Sequence, residues 1–196
     1  IKDGNIQVER DQKINIKSNF FSEITINKIN NKDYLAFLKK INLINENIEL
    51  KANVDHFITG SFDKTFKLVN YVYTNKGKIN ELSLSLDKSI ISTFLEKKID
   101  IFHLKSSNVK VRHSSDKKNF INLDGMYSFD KKSFQKFNYN NNFSKANNSI
   151  ELKIEFLDKL KLGLINYKKD QNKVAEVNFK ANIKGDSVNI DALKYS

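Results

Sequence analysis

The sequence contains no cysteine, proline or tryptophan, and only 6 of its 196 residues are glycine. Without cysteine the chain forms no disulfide, has no thiol nucleophile and offers no thiolate to a metal ion. Average usage would give about 10 prolines in a chain of this length. The missing cysteines do not identify a compartment, because periplasmic proteins also fold without disulfides.

Long apolar runs are absent as well. No stretch approaches the roughly 18 to 20 consecutive apolar residues of a membrane-spanning helix, and no signal-peptide pattern is present. The chain starts at Ile1 rather than at a methionine and stops at Ser196 within an alternating run. We therefore expect residues 1–196 to be a single β-rich segment of a larger protein, with a candidate repeat boundary near residues 115–120.

The net charge of +11 raises the question of nucleic-acid binding. Arg10 and Arg112 are the only arginines, although phosphate recognition favours arginine-rich patches on one face. The lysines are interleaved with aspartate and glutamate, and an AT-rich codon bias explains their number together with that of asparagine, isoleucine and phenylalanine. Nucleic acid is therefore not the expected partner.

Apolar and polar residues alternate along much of the chain. From Ile48 to Ile58 most even positions are apolar and most odd positions are polar, and the same pattern covers Ile150–Phe156 and Val177–Ile183. Successive side chains of a strand point to opposite faces, so each run predicts a strand with one apolar and one polar face. Further alternating runs raise the prediction to about a dozen strands. They are Ile14–Ile16, Ile24–Ile26, Phe66–Val72, Leu82–Leu86, Ile99–Ile101, Val109–Val111, Ile121–Leu123, Leu160–Leu164 and Val188–Ala192.

Short polar clusters separate these runs and predict turns. They are Asn75–Gly77, Ser114–Asp116, Asn140–Asn142, Lys169–Asn172 and Lys184–Asp186. Such short connections favour antiparallel neighbours, because parallel strands need crossovers of a dozen or more residues. Helical spacing of apolar residues predicts two short helices, over Asp33–Ile41 and Ser89–Lys98. The predicted fold is therefore mainly β: a long antiparallel meander curling into an open groove, with one or two short covering helices.

Residues that could carry catalysis are scattered. His56, His103 and His113 are the only histidines, and their spacing does not place metal ligands together. The glycines are isolated and form no phosphate-binding loop, and Ser61 lacks the motif of a serine nucleophile. A carboxylate pair of the glycosidase type, such as Asp55 with Asp124, could be hidden by sequence distance. We expect no enzyme activity, no cofactor and no metal site.

The alternating runs leave the predicted apolar face as the main functional feature. A sandwich, a closed barrel or covering helices would bury this face, whereas an open groove would leave it available to acyl chains. Each buried methylene contributes about 0.8 kcal/mol, so such a groove could hold lipid without specific polar contacts. The candidate lining residues are Ile48, Leu50, Val54, Leu82, Leu84, Ile150, Leu152 and Ile154.

The order of these runs resembles a known family. Ile48–Ile58 with its Ala-x-x-Asp, then Phe66–Tyr73, then an Asn-x-Gly turn and a strand with Leu-x-Leu up to Leu86, is similar to the AsmA-like superfamily of bacterial envelope proteins. The superfamily includes TamB and YhdP, and the segment Phe120–Phe129 followed by Ile150–Phe156 resembles the large YhdP-type members.

This resemblance implies a periplasmic location in a parent protein anchored in the inner membrane of a Gram-negative bacterium. It implies a bridge-like protein that shelters or transfers phospholipid between the inner and outer membranes and serves outer-membrane biogenesis. The implied partners are phospholipid acyl chains, neighbouring repeats of the same chain, and membranes reached through other regions of the parent. The alternative is a non-catalytic structural or adhesive β module of an envelope or surface protein, with its apolar face fully covered.

Overall fold

The computed structural model describes residues 2–11, 13–27, 44–92, 97–116, 118–144, 147–162, 167–170, 173–185 and 187–195. Within these ranges the regular elements are all strands, which confirms the predicted β-rich class. The strands are β1 Lys2–Arg10, β2 Ile14–Ile26, β3 Ile44–Phe62, β4 Leu68–Ser92, β5 Lys97–Ser114, β6 Asn119–Ser128, β7 Gln135–Phe143, β8 Asn148–Phe156, β9 Leu160–Leu162, β10 Tyr167–Lys169, β11 Ala175–Lys184 and β12 Ser187–Tyr195.

Ten of these strands form one open antiparallel sheet. Its order is β1-β2-β3-β4-β5-β6-β7-β8-β11-β12, so nearly every strand pairs with its neighbour in sequence. The short strands β9 and β10 form a separate two-stranded sheet between β8 and β11. Strands β1 and β12 are the two edges, and the sheet is not closed into a barrel. The predicted meander is therefore confirmed.

The register gives the sheet one apolar and one polar face. Residues directly opposite each other on antiparallel strands share a face, so the pairing can be followed from β1 to β12. We define the apolar face by Ile6, Val8, Ile24, Ile48, Leu50, Val54, Ile79, Leu82, Leu84, Phe102, Leu104, Leu123, Tyr127, Phe137, Tyr139, Ile150, Leu152, Ile154, Val177, Phe179, Val188, Ile190 and Leu193. The other face, here the polar face, carries mainly lysine, glutamate and asparagine.

The second predicted helix, Ser89–Lys98, is wrong in the residues that the structure describes. Ser89–Ser92 belongs to β4 and Lys97–Lys98 belongs to β5, and Ile90 pairs with Ile99 across the two strands. The helical spacing of apolar residues in this short segment is overridden by the long hairpin of which it forms the end. The first predicted helix, Asp33–Ile41, lies outside the described residues.

Two predicted turns are also wrong. Asn75–Gly77 lies inside β4 and Asn140–Asn142 lies inside β7, so the third strand of the family-like pattern is the continuation of its second. Gly77 serves a close approach of backbones rather than a turn. A Cβ atom at Gly77 would lie 2.9 Å from Val54 Cα and even closer to Asn53 O. The predicted turn at Ser114–Asp116 is confirmed between β5 and β6.

The sheet curves towards its apolar face where β5 to β8 meet. Tyr127 on β6 donates its hydroxyl hydrogen to Glu155 O on β8 over 2.7 Å, although β7 lies between these strands. Ile99 on β5 packs against Phe156 on β8 in the same region. Flat neighbouring strands lie about 4.8 Å apart, so contacts across two and three strand spacings indicate a concave apolar face.

Candidate functional site

The structure places all eight predicted lining residues on the apolar face. Ile48 pairs with Leu84 and Leu50 pairs with Leu82 across β3 and β4, so these four form one block. Val54 lies further along β3, opposite Gly77. The remaining three, Ile150, Leu152 and Ile154, lie on β8, four strands away from β4. The two blocks are joined by other apolar side chains rather than by direct contact.

The residues that join the two blocks were not predicted from the sequence. Leu104, Tyr127 and Phe137 form a buried cluster against which Leu82 and Ile154 pack from opposite sides. Leu104 is only 4% exposed and lies between β4 and β6. The register of the intervening strands, which places these residues on one face, is the signal that could have identified them.

Exposure of the apolar face rises from its centre to its edges. On the central strands, Leu104 of β5 and Tyr127 of β6 are buried. On the edge strands, Ile6 is 71% exposed and Val188 is 63% exposed. Among the described residues, the strands outside the ten-stranded sheet form only the hairpin β9–β10, whose strands have three residues each. A hairpin of that size is too small to cover ten strands.

One end of the apolar face is occupied by an aromatic cluster, defined here as Phe102, Tyr127, Phe129, Phe137 and Phe156. The ring centroid of Tyr127 lies 5.4 to 6.3 Å from each of the other four, with edge-on geometry to three of them. Such arrangements stabilise aromatic packing beyond area burial alone. Burial, with smaller contributions from Asp158 and Glu155, raises the pKa of the Tyr127 phenol above its ordinary value. The tyrosine is therefore neutral at physiological pH.

Polar side chains of the apolar face are concentrated at the opposite end of the strands, in two adjacent rows of directly opposed residues. We call this set the polar belt, and it consists of His56, Tyr73, Asn75, His113, Asn119, Asn141 and Asn148. It crosses β3 to β8 without skipping a strand. Apolar residues such as Val111 and Ile121 lie between its members. In the sequence His56 is one of three scattered histidines, and the belt was not predicted.

His56 is the best-defined member of the polar belt. Its ring stacks on Phe20 with 4.5 Å between centroids, and its Nδ1 lies 2.8 Å from Tyr73 Oη. Tyr73 Oη also accepts a hydrogen bond from Asn75 Nδ2 at 3.3 Å. Burial lowers the pKa of His56, with Asp55 opposing the shift, so the ring is neutral at physiological pH. With Tyr73 donating to Nδ1, we assign the ring hydrogen to Nε2.

The polar face carries cross-strand ion pairs and a shallow hollow. Lys180 and Glu151 lie 3.0 Å apart, and Lys51 and Glu81 lie 3.4 Å apart. Such exposed pairs contribute little to stability, and their main effect is to keep this face hydrated. The hollow, of about 510 Å³, includes His103, whose Nδ1 lies 2.8 Å from Ser83 Oγ. Burial and the nearby Lys131 lower the pKa of this imidazole.

The carboxylate pair considered from sequence is not assembled. Asp55 lies on β3 opposite Lys76, and Asp124 lies on β6, where it accepts a hydrogen bond from Asn108 at 2.9 Å. Three strand spacings separate the two strands, which corresponds to about 14 Å. Paired carboxylates of glycosidases lie about 5 to 9.5 Å apart, so these two do not form such a pair.

Two specialised features are absent from the described residues. The described part of the chain contains no group of three or more histidine, aspartate or glutamate residues that could hold a metal ion. In the same ranges, no helix has the length and apolar character needed to cross a membrane. Comparison with models of protein families, with curated proteins and with solved structures found no match to this chain.

Proposed function

We propose that this chain is a β-sheet segment of an AsmA-like envelope protein and that its apolar face shelters or transfers phospholipid acyl chains. The observation that carries the proposal is an apolar face that crosses all ten strands of one open sheet and is exposed at both edges. Water solvates such a face poorly, and a monomer seldom exposes a large continuous apolar patch without a binding function.

Acyl chains match the chemistry of this face. The exposed and half-buried side chains are mainly isoleucine, leucine, valine and phenylalanine, which contact methylenes without directional bonds. At about 0.8 kcal/mol per buried methylene, ten methylenes would contribute about 8 kcal/mol before the entropic cost of binding is subtracted. Contacts of this kind tolerate different chain lengths, and they allow a lipid to move between equivalent positions along the face.

The wider proposal concerns the setting of the segment. The parent protein would be anchored in the inner membrane, and this segment would lie in the periplasm beside further repeats of the same chain. The exposed apolar residues of the two edge strands, Ile6 on β1 and Leu193 on β12, are where adjoining strands would extend the face. Phospholipid would then pass between the inner and outer membranes along it.

The purified chain should bind a phospholipid that carries a fluorophore on its acyl chain. We expect saturable binding with an increase in fluorescence, because the fluorophore leaves water for the apolar face, and phospholipid should be found by mass spectrometry in freshly purified protein. A folded chain that binds no added phospholipid and carries none from the cell would contradict the proposal. That result would favour the alternative, a structural or adhesive β module.

A further inference from the structure

The apolar face has different chemistry at its two ends, and this gives it a direction. Along β6, β7 and β8 the polar belt lies at one end of the apolar face and the aromatic cluster lies at the other, while β3 and β4 continue a few residues beyond the belt. Between them the face is almost entirely apolar, with Leu152, Ile154 and Val54 among its side chains. A molecule with one polar and one apolar end would therefore bind in a single orientation.

The length of the apolar stretch fits one acyl chain. Along β3 it extends from Val54 to Ile48, six residue steps of about 3.4 Å, which is about 20 Å. Along β8 it extends from Ile150 to Phe156, which is also six steps and about 20 Å. One leaflet contributes half of the roughly 30 Å hydrocarbon core of a bilayer, so the stretch is long enough for a lipid acyl chain, which occupies about 15 Å.

The polar belt holds unpaired hydrogen-bonding atoms. Among the described residues, the buried side-chain atoms without a partner on the apolar face are His56 Nε2, Asn75 Oδ1, Asn141 Oδ1 and Asn148 Oδ1, and all four belong to the belt. Asn141 is only 8% exposed. A buried polar atom without a partner costs about 1 to 3 kcal/mol, so a group of four needs an explanation.

We propose that the polar belt receives the headgroup of a phospholipid whose acyl chains extend along the strands towards the aromatic cluster. The inference rests on the proposed function. With the ring hydrogen on Nε2, His56 offers a donor to a phosphate or ester oxygen, while the asparagine oxygens accept from an ammonium or hydroxyl group. A headgroup such as ethanolamine phosphate supplies both.

Replacing both His56 and Asn141 by leucine tests this orientation. Phosphatidylethanolamine with an acyl-chain fluorophore should bind the double variant about tenfold more weakly than the unmodified chain. Diphenylhexatriene, an apolar probe without a headgroup, should bind both proteins within a factor of two. The melting temperature should change little, because loss of the hydrogen bond between Tyr73 and His56 Nδ1 is offset by removal of two unpartnered buried atoms, His56 Nε2 and Asn141 Oδ1. Equal binding of the phospholipid by both proteins would overturn the inference.

Two further comparisons distinguish failure of the proposed orientation from failure of the proposed function and from binding of a soluble phosphate ester. If neither probe binds the unmodified chain, the proposed function itself fails. If both probes bind it and the double variant loses neither, only the orientation fails. Glycerophosphoethanolamine, which has the same headgroup without acyl chains, should not displace bound lipid at equal concentration. Displacement would show that the belt serves a soluble phosphate ester, and this too would contradict the inference.

Discussion

Replacing Leu152 by aspartate should weaken phospholipid binding at least tenfold. Leu152 lies on the apolar face of β8, directly opposite Tyr139 on β7 and Phe179 on β11. The carboxylate removes apolar contact with about two methylenes and keeps water at the site, and about 1.6 kcal/mol corresponds to more than a tenfold change in affinity. Titration with the acyl-chain-labelled phospholipid measures this change. Leu84→Asp on β4 should act in the same direction, because Leu84 lies on the same face.

Asn122→Asp is the matched control for Leu152→Asp. It makes the same change in net charge, but Asn122 lies on the polar face opposite Lys110, where a carboxylate is well placed. Its phospholipid affinity should stay within a factor of two of that of the unmodified chain. Because a carboxylate at position 152 could unfold the sheet, circular dichroism should accompany the titration. Ile190→Asp, at a position 60% exposed on the edge strand, gives a second test that spares the core. Unchanged binding in both folded apolar-face variants would contradict the proposed role of this face.

Replacing Gly125 by alanine should destabilise the sheet by about 3 kcal/mol or more. Gly125 lies on β6 beside the register irregularity of β5, and Ser107 of β5 is fully buried against it. A Cβ atom at position 125 would lie 2.5 Å from Ser107 Cα and 2.6 Å from Ser107 Cβ. Backbone atoms must move to relieve such an overlap, and overpacking of this kind costs about 1 to 3 kcal/mol even when only side chains shift. Urea denaturation of both proteins measures the difference in free energy of unfolding.

Gly60→Ala provides the comparison for this prediction. Gly60 also lies inside a long strand of the same sheet, but a Cβ atom there would be 3.6 Å from its nearest neighbours, which is an ordinary contact. The free energy of unfolding should change by less than about 1 kcal/mol, or rise slightly because alanine has less freedom in the unfolded chain. Similar stabilities of the two alanine variants would show that β5 and β6 are not as close as described.

The sequence predicted the existence of the strands better than the positions at which they begin and end. Strong alternation identified β3, β8 and β11, because every second residue there is apolar over seven residues or more. The 25-residue strand β4 was divided because Asn75–Gly77 has turn composition, yet both neighbouring strands hold it extended through this point. The local preference of Asn75–Gly77 for a turn is overridden because β4 pairs with β3 on one side and β5 on the other. A single sequence does not show this pairing.

Strand β7 was missed for a related reason, because Asn140–Asn142 also has turn composition. Phe137, Tyr139 and Phe143 alternate as in any strand, but Asn141 occupies the position where the next apolar residue would fall. Because Asn141 is a polar residue at a position on the apolar face, it also forms part of the polar belt. The departure from the pattern therefore marks the feature that sequence reasoning could not assign. Recognising it requires the register, which brings Asn141 into line with His56 and Asn75 across four strand spacings.

The central claim is that the apolar face is open to solvent and takes up lipid. Because the chain has no cysteine, a thiol introduced at one position can be followed alone. We predict that the thiol of Leu152→Cys is alkylated by a water-soluble reagent in the lipid-free chain and is protected when phospholipid is added. The thiol of Lys153→Cys, on the opposite face of the same strand, should react equally in both conditions. A thiol at position 152 that is inert without lipid, or that reacts at the same rate with it, would contradict the account.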